Sequence, residues 1–205
     1  MGSGHYLSSQ ARRERTVETV IALCAEADPA AITTDRIAKH MRVTQGALFR
    51  HFPNKEAIWE AVAEWVADRV IRRLDEAAAD ASCPVKALEA MFNAHIAFIT
   101  EHPGVPRMLM GQLQHDRQTP ARRIIHSLLR LYHGRVEARL SEARLSGALR
   151  PDLDIDAAAT QFLGTIQGLV IQSLIAGDLS SIARRAPGVF DIYLDGLRTD
   201  AGAGG

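Results

Sequence analysis

Apolar residues recur along this chain with the period of an α-helix, from Val17 in the first predicted helix to Leu197 in the last. No stretch alternates apolar and polar residues with the period of two that a half-buried strand requires, and Gly or Pro falls between the helical runs. The pattern predicts an all-α protein of about nine helices.

Residues 32–59 predict two short helices joined by a tight turn, followed by the start of a longer helix. Thr33 is placed to cap a helix over residues 34–41, because its hydroxyl can accept a hydrogen bond from a free amide of the first turn. Residues 42–43 then form the turn, and Thr44 caps the second short helix.

The second short helix has one buried and one exposed face. Leu48 and Phe52 are spaced i, i+4 and so point to the core. This register leaves four residues pointing outward: Gln45, Gly46, Phe49 and Arg50. Gln and Arg side chains can hydrogen-bond to base edges or phosphates, and a glycine lets the backbone approach closely. Residues 32–59 therefore predict a helix-turn-helix that reads DNA through its second helix.

The distribution of charge agrees with this placement. The chain is neutral overall, with 24 basic and 24 acidic residues. Five basic residues and no acidic one lie between positions 36 and 55, namely Arg36, Lys39, Arg42, Arg50 and Lys55. A local basic stripe on a neutral protein points to one anionic partner surface. Lys55 follows Asn54, the predicted cap of the next helix, where a cation opposes the helix dipole unless a phosphate binds there.

From residue 55 onward the breaks between apolar runs predict six further helices. The expected helices are a fourth over 55–81, a fifth that opens after 82–84, a sixth with Pro106 in its first turn that ends at Leu113, a seventh from Pro120 to about Gly147, an eighth capped by Asp154 or Asp156 that runs to about Ala176, and a ninth from Pro187 to Leu197.

The eighth predicted helix is apolar nearly all round and therefore needs partners on every side. Gly164 and Gly168 lie about one turn apart, which lets another helix approach closely. The simplest partner is a second copy of this chain across a two-fold axis, with the ninth helix completing a four-helix interface. A helix buried in the core of one monomer is the alternative. The predicted dimer interface comprises Gly164, Gly168, Ile171, Ile175, Val189, Ile192 and Tyr193.

Composition limits the remaining possibilities. No run of about 18 apolar residues and no signal-peptide pattern occurs, so we expect a cytoplasmic protein that does not span a membrane and is nucleoid-associated when bound to DNA. The two cysteines, Cys24 and Cys83, make no disulfide framework, and Cys24 lies on the apolar face of the first helix.

We expect no catalytic residues, metal or cofactor. No Ser/His/Asp order, glycine-rich phosphate loop or convergent carboxylate pair occurs, so the sequence supports an enzyme less than a DNA-binding protein. The histidines of the larger region lack metal-binding spacing such as HExxH; they are His95, His102, His115, His126 and His133.

The stretch from Arg12 to Trp59 resembles the N-terminal domain of the TetR family of bacterial transcriptional regulators. The positions that carry the resemblance are Thr33, Thr34, Ile37, Ala38, Val43, Thr44, Gly46, Leu48, Phe49, His51, Phe52, Lys55 and Glu56. The resemblance implies a helix-turn-helix domain over residues 8–54 and a helical ligand-binding and dimerisation domain over 55–198. The composition of residues 1–7 and of the glycine-rich residues 199–205 predicts disordered tails.

The same resemblance implies the partners and the sites. It implies a homodimer on a palindromic operator in double-stranded DNA, acting as a repressor that an unknown small-molecule effector releases. The predicted DNA contacts are Thr33, Arg42, Thr44, Gln45, Gly46, Phe49, Arg50, His51 and Lys55. The predicted effector pocket is lined by Trp65, Met91, Phe92, His95, Phe98, Met108, Met110, Leu128, Tyr132, Phe162 and Gln167. Each pocket residue has plain core packing as its alternative role.

Two positions depart from the family pattern. Phe49 stands where the family commonly has a phosphate-bonding Tyr, so it must contribute by packing against a sugar or a thymine methyl. Arg42 stands where the turn commonly has Gly, so either the turn keeps its backbone at some strain or it is reshaped.

An alternative function is a DNA-bound adaptor that acts on a protein partner. The segments HFPNK and HPGVPRMLMGQL are similar to those of TetR-type nucleoid-occlusion factors, which bind DNA to control cell division.

Overall fold

The computed structural model describes residues 8–114 and 118–198, and these residues form nine α-helices, one short 3-10 helix and no strand. The all-α prediction is confirmed. The predicted tails 1–7 and 199–205, and His115 among the histidines, lie outside the described residues. The helices are α1 (Ser9–Glu26), α2 (Thr34–Met41), α3 (Gln45–Phe49), α4 (Lys55–Ala79), α5 (Pro84–Glu101), α6 (Gly104–Leu113), α7 (Pro120–Leu145), α8 (Ile155–Ile175) and α9 (Ser181–Asp195), with the 3-10 helix at Pro29–Ala31.

The chain divides into two compact units that do not follow chain order. The first contains the described residues up to Asp68 together with those from His102 to His126, and the second contains the remainder. Helices α4 and α7 therefore contribute residues to both units. The predicted division into a domain over residues 8–54 and a domain over residues 55–198 stays a prediction.

The first unit is built around α1, which packs against α2 and α6. Its core is formed by apolar residues at helical spacing, and the fully buried members include Val20, Cys24, Ile37, Leu48, Phe52, Ile58 and Val62. Helix α6 approaches α1 so closely that a Cβ at Gly104 would overlap the carbonyl oxygen of Ile21. Arg107 of α6 also donates a hydrogen bond to the Ala25 carbonyl oxygen. Burial raises the pKa of the Cys24 thiol to about 12, so this cysteine is an unreactive part of the core.

The second unit contains an aromatic core. Helices α5 and α8 both pack against α9. The rings of Phe92, Phe162, Phe190 and Tyr193 lie 5.1–6.5 Å apart, mostly edge to face. Such pairs stabilise a core beyond the burial of their area.

The predicted start of the ninth helix at Pro187 is wrong, because α9 begins at Ser181. The Asp178 carboxylate accepts a hydrogen bond from the Ser181 amide, and Ile182 and Ala186 are buried, so the first turns form before the proline. Pro187 has no amide hydrogen to donate to the Ala183 carbonyl oxygen. Both residues are exposed, so water can donate that hydrogen bond instead.

Candidate nucleic-acid interface

Helix α2 begins where the sequence predicts. The Thr33 hydroxyl accepts a hydrogen bond from the Arg36 amide at 3.1 Å, as an N-cap residue does. Ile37 and Met41 are buried on the opposite face. The role of Thr33 is therefore to fix the start of α2, whether or not it also contacts DNA.

The turn between α2 and α3 keeps a left-handed residue in the absence of glycine. Arg42 has φ 58° and ψ 44°, and it is the only non-glycine residue with positive φ in the described part of the chain. Its amide donates to the Lys39 carbonyl at 3.1 Å, and the Val43 amide donates to the Ala38 carbonyl at 3.0 Å. These bonds close the end of α2 as a Schellman motif does. Of the two possibilities for Arg42, the turn therefore keeps its usual backbone at some strain.

Helix α3 presents an exposed outer face that carries no side chain at Gly46. The Thr44 hydroxyl accepts a bond from the Ala47 amide at 3.1 Å, and Leu48 is buried beneath the helix. Gln45, Gly46 and Phe49 are exposed on the outer face, and a Cβ added to Gly46 would meet only the Thr44 hydroxyl, 4.0 Å away. The outer surface at Gly46 is therefore open to close approach by another molecule.

Gln45 is already held in place by the neighbouring helix. Its amide nitrogen donates to the Thr34 hydroxyl at 3.0 Å. A side chain held in this way loses less rotamer freedom when it binds a base edge than a free glutamine does. The bond between Gln45 and Thr34 links α3 to the start of α2.

The segment from Arg50 to Lys55 is positioned by α1, which sequence analysis does not anticipate. Arg13 donates to the His51 carbonyl oxygen at 2.8 Å, and its guanidinium lies 4.5 Å from the centroid of the Phe52 ring. The Ser9 hydroxyl lies 3.3 Å from Nδ1 of His51. Nδ1 therefore has a partner within the protein, which leaves Nε2 as the ring nitrogen available to another molecule.

Lys55 opens α4, and its cap is the one predicted. Asn54 accepts a hydrogen bond from the Ala57 amide at 2.8 Å. Lys55 is half-buried, whereas Arg50 and Arg42 are exposed. A cation in the first turn of a 25-residue helix opposes the helix dipole, and a bound phosphate reverses that unfavourable interaction.

The basic stripe is partly neutralised at one end and extended at the other. Lys39 lies 2.7 Å from the carboxylate of Asp35, a residue just outside the stripe, so its charge is partly offset. Arg12 and Arg15 of α1 line a groove of about 220 Å³ that also contains Val43 and His51. Helix α1 therefore adds basic residues beside the turn and α3.

These features match a known family over most of the chain. Residues 18–62 match the profile of bacterial regulatory proteins of the tetR family, and residues 84–188 match a tetracyclin repressor-like C-terminal domain. The chain belongs to the tetR family. It is accordingly a DNA-binding transcriptional regulator with a helix-turn-helix, and the resemblance stated from the sequence is confirmed.

Three proteins similar to this tetR-family regulator share at most a quarter of their aligned residues with it. The chain is 25% identical over 158 residues to the nucleoid occlusion factor SlmA of Aliivibrio fischeri, a match that covers 77% of this chain and 81% of SlmA. The Bacillus subtilis regulator FadR in complex with stearoyl-CoA superposes with a TM-score of 0.78 at 19% identity, covering 90% of this chain and 99% of FadR. SmeT in complex with triclosan has a TM-score of 0.76 at 24% identity, covering 94% of each chain; SmeT is described as the repressor of a Stenotrophomonas maltophilia multidrug efflux pump.

The predicted pocket residues of this tetR-family regulator fall in both units. Trp65, Met108 and Met110 belong to the first unit, and the other eight belong to the second. In the second unit the ring of His95 lies 5.3 Å from that of Tyr132, and Phe162 lies 6.1 Å from Tyr132. Met91, Phe92, Phe98 and Leu128 are buried, whereas Gln167 is exposed on α8. The pocket stays a prediction.

His95 and Tyr132 are the polar groups of this aromatic region. Nδ1 of His95 lies 3.2 Å from the Tyr132 hydroxyl. Desolvation lowers the pKa of His95 to about 4 and raises the pKa of Tyr132, so both side chains are neutral near pH 7. The pair offers hydrogen-bonding capacity within an otherwise apolar and aromatic surrounding.

The predicted dimer residues are mostly on an exposed apolar face of α8 and α9. Ile171, Ile175 and Ile192 are 44%, 82% and 76% exposed, and a Cβ added to Gly164 or Gly168 would meet nothing within 4 Å. Tyr193 is placed differently, because it is buried and its hydroxyl donates to the Ala158 carbonyl at 3.0 Å. Tyr193 therefore belongs to the core of the second unit, and the interface itself stays a prediction.

Helix α8 is also long and apolar enough to cross a membrane by length and composition alone. Core helices of globular proteins meet the same criteria, so a single such helix is weak evidence. In this chain one face of α8 packs against α9, which accounts for part of its apolar surface.

Proposed function

We propose that this tetR-family regulator is a repressor that binds a palindromic operator as a homodimer and is released by a small-molecule effector. The observation that carries the proposal is the outer face of α3, where Gln45, Gly46 and Phe49 are exposed between the helix caps at Thr44 and Asn54. In this reading α3 lies in the major groove, and Arg42, Arg50 and Lys55 bind phosphates on either side.

The exposed apolar face of α8 and α9 supports the dimer. Its isoleucines lie in water in the isolated chain, and burying them against a second copy would remove apolar surface from solvent. The bare backbone at Gly164 and Gly168 lets two copies of α8 approach closely. A two-fold dimer would place the two copies of α3 about 34–36 Å apart, or a simple multiple of that distance, to match successive turns of DNA.

We propose that the effector is apolar or amphipathic and binds in the second unit near His95 and Tyr132. Aromatic and apolar walls with few polar groups are typical of pockets for such ligands. The complexes of FadR with stearoyl-CoA and of SmeT with triclosan are consistent with ligands of this class.

A DNA-bound adaptor is the second candidate. The similarity to SlmA, at 25% identity over 158 residues, favours it. An adaptor of this kind would bind many chromosomal sites, and no small molecule would be needed to change its affinity for DNA.

The DNA-binding surface is tested by charge reversal with a matched control. Genome-wide footprinting first identifies a bound duplex. Lys55→Glu should abolish binding to it in a gel shift at about 150 mM salt, because the reversed charge repels a phosphate. Lys86→Glu is the control, since Lys86 is exposed on α5 in the second unit. Circular dichroism checks that both variants retain their helices. Unchanged affinity of Lys55→Glu would contradict the assignment of α3 and the start of α4 to DNA.

The effector is tested by titrating candidate apolar ligands into the free protein and into the protein on its operator. A ligand that lowers operator affinity a hundredfold must itself bind the DNA-bound form a hundredfold more weakly, which corresponds to about 2.7 kcal/mol of coupling. Equal ligand affinities in the two states would refute release by that ligand. Footprints scattered over the chromosome with no responsive ligand would favour the adaptor.

A further inference from the structure

We propose that His133, Glu137 and Asp156 form a binding site for a divalent transition-metal ion, with Zn²⁺ preferred, on the second unit. The site is separate from the predicted DNA surface and is formed by two helices. His133 and Glu137 are one turn apart on α7, and Asp156 lies in the first turn of α8.

The three side chains already converge. One ring nitrogen of His133 and one oxygen from each carboxylate all lie within 4.8 Å of one another. Nδ1 of His133 is 3.4 Å from Oε2 of Glu137, and Nε2 is 3.6 Å from Oδ1 of Asp156. The Thr160 hydroxyl, one turn after Asp156 on α8, lies 3.3 Å from Nε2. Each helix therefore directs an i, i+4 pair of polar residues towards the other.

The separations are close to those that an ion requires. Ligand atoms bound to a tetrahedral zinc at about 2.0–2.2 Å are roughly 3.3–3.6 Å apart. Only one ring nitrogen of His133 can bind the ion. The side chain whose carboxylate lies beside the other nitrogen must therefore rotate, so that its oxygen moves about 1 Å closer to the ion and all three atoms can coordinate it. Asp156 and Glu137 can make this movement, because their side chains are 81% and 39% exposed.

The charge and the donor types favour a transition metal. Two carboxylates and a neutral imidazole carry a charge of about −2, which balances a divalent cation. The positive end of the α8 dipole opposes a cation at this position, and the two carboxylates more than offset it. An imidazole nitrogen favours Zn²⁺, Ni²⁺ or Co²⁺ over Mg²⁺ and Ca²⁺, which bind mainly oxygen. Three protein ligands leave at least one position for water or for another ligand.

A bound ion would connect α7 to the start of α8. Without it, the contact rests on the side chain of His133, whose ring nitrogens lie 3.3–3.6 Å from Glu137, Asp156 and the Thr160 hydroxyl. The ion would hold His133, Glu137 and Asp156 together by direct coordination. Zinc binding should therefore stabilise the second unit.

The test uses the full chain without a histidine tag, at pH 7.5, with Zn²⁺ as the ligand. Isothermal titration calorimetry should detect one zinc per chain, and the melting temperature should rise with zinc concentration. Co²⁺ should bind at the same place and show visible d–d absorption. His133→Ala, Glu137→Gln and Asp156→Asn should each weaken zinc binding by at least about tenfold. Mg²⁺ in millimolar excess should not displace the zinc.

The matched control is His126→Ala, which removes an exposed histidine from the same helix but outside the cluster. It should leave the zinc affinity unchanged. The proposal is overturned if zinc neither binds nor raises the melting temperature, or if His133→Ala and His126→Ala bind zinc as the unaltered chain does. In the first case the three residues form only an ion-pair cluster, and His133→Ala should change the melting temperature equally with and without zinc.

Discussion

Replacing Arg42 with glycine should stabilise the protein and weaken its binding to DNA at the same time. Arg42 occupies the left-handed region at φ 58° and ψ 44°. This conformation costs a residue with a Cβ about 1–2 kcal/mol relative to glycine. Glycine loses about 0.4–1 kcal/mol more backbone entropy on folding. Arg42→Gly should therefore be about 1 kcal/mol more stable than Arg42→Ala, which removes the charge but keeps the strain.

The unit that contains this turn can be followed directly. Both tryptophans of the chain, Trp59 and Trp65, belong to the first unit, so intrinsic fluorescence reports on its unfolding. A difference of 1 kcal/mol corresponds to about 2–4 °C in melting temperature for a protein of 150–250 residues. The comparison of the Gly and Ala variants isolates the backbone, because both lack the guanidinium.

The effect on DNA binding has a different origin and a separate readout. Removing one phosphate contact per subunit should reduce the slope of log affinity against log salt concentration by about 1.8 per dimer. Both variants should show this reduction, and Arg42→Lys should retain most of the slope. The reasoning about strain is refuted if the Gly variant melts no higher than the Ala variant. An unchanged salt slope in both would mean that Arg42 does not contact a phosphate.

Three further outcomes are expected. Gly104→Ala should destabilise the first unit by about 1–3 kcal/mol, because its Cβ would overlap the Ile21 carbonyl. Gly134→Ala, on the open face of α7, should be neutral or stabilising. Urea unfolding followed by fluorescence and circular dichroism compares the two variants. His95 is neutral in the folded state, with its pKa lowered to about 4, so it favours folding above its unfolded pKa of about 6.5 and loses this contribution as pH falls towards 4. The pKa shift sets an upper limit of about 3 kcal/mol on the contribution of His95 to the free energy of unfolding, and the true value is smaller because His95 is half-buried. His95→Gln should lose less stability than the unaltered chain over this pH range. An identical loss would assign the effect to other groups. A Cβ at Gly164 meets no atom of its own chain within 4 Å, so Gly164→Leu should leave the monomer folded but shift sedimentation from dimer to monomer at micromolar concentration. A fully dimeric variant would place the interface elsewhere.

The sequence by itself determines the local architecture of the DNA-reading region. The caps at Thr33, Thr44 and Asn54 involve hydrogen bonds to residues three positions later, so they can be predicted from short stretches. The burial of Leu48 and Phe52 follows from helical periodicity in the same way. The left-handed turn at Arg42 is anticipated only as one of two alternatives, because an arginine rarely adopts that backbone and a resemblance to other chains cannot decide between them.

Only the tertiary structure decides contacts between residues far apart in the chain. Arg13 and Ser9 reach His51 across about 40 positions, and Tyr193 turns into the core to reach Ala158. The sequence pattern gives the apolar period of each helix, but not its neighbours or its rotation against them. The cluster at His133 depends on both the sequence pattern and the tertiary structure. Its spacing with Glu137 is visible on one helix, whereas Asp156 joins it only because the fold brings the start of α8 close to His133 of α7.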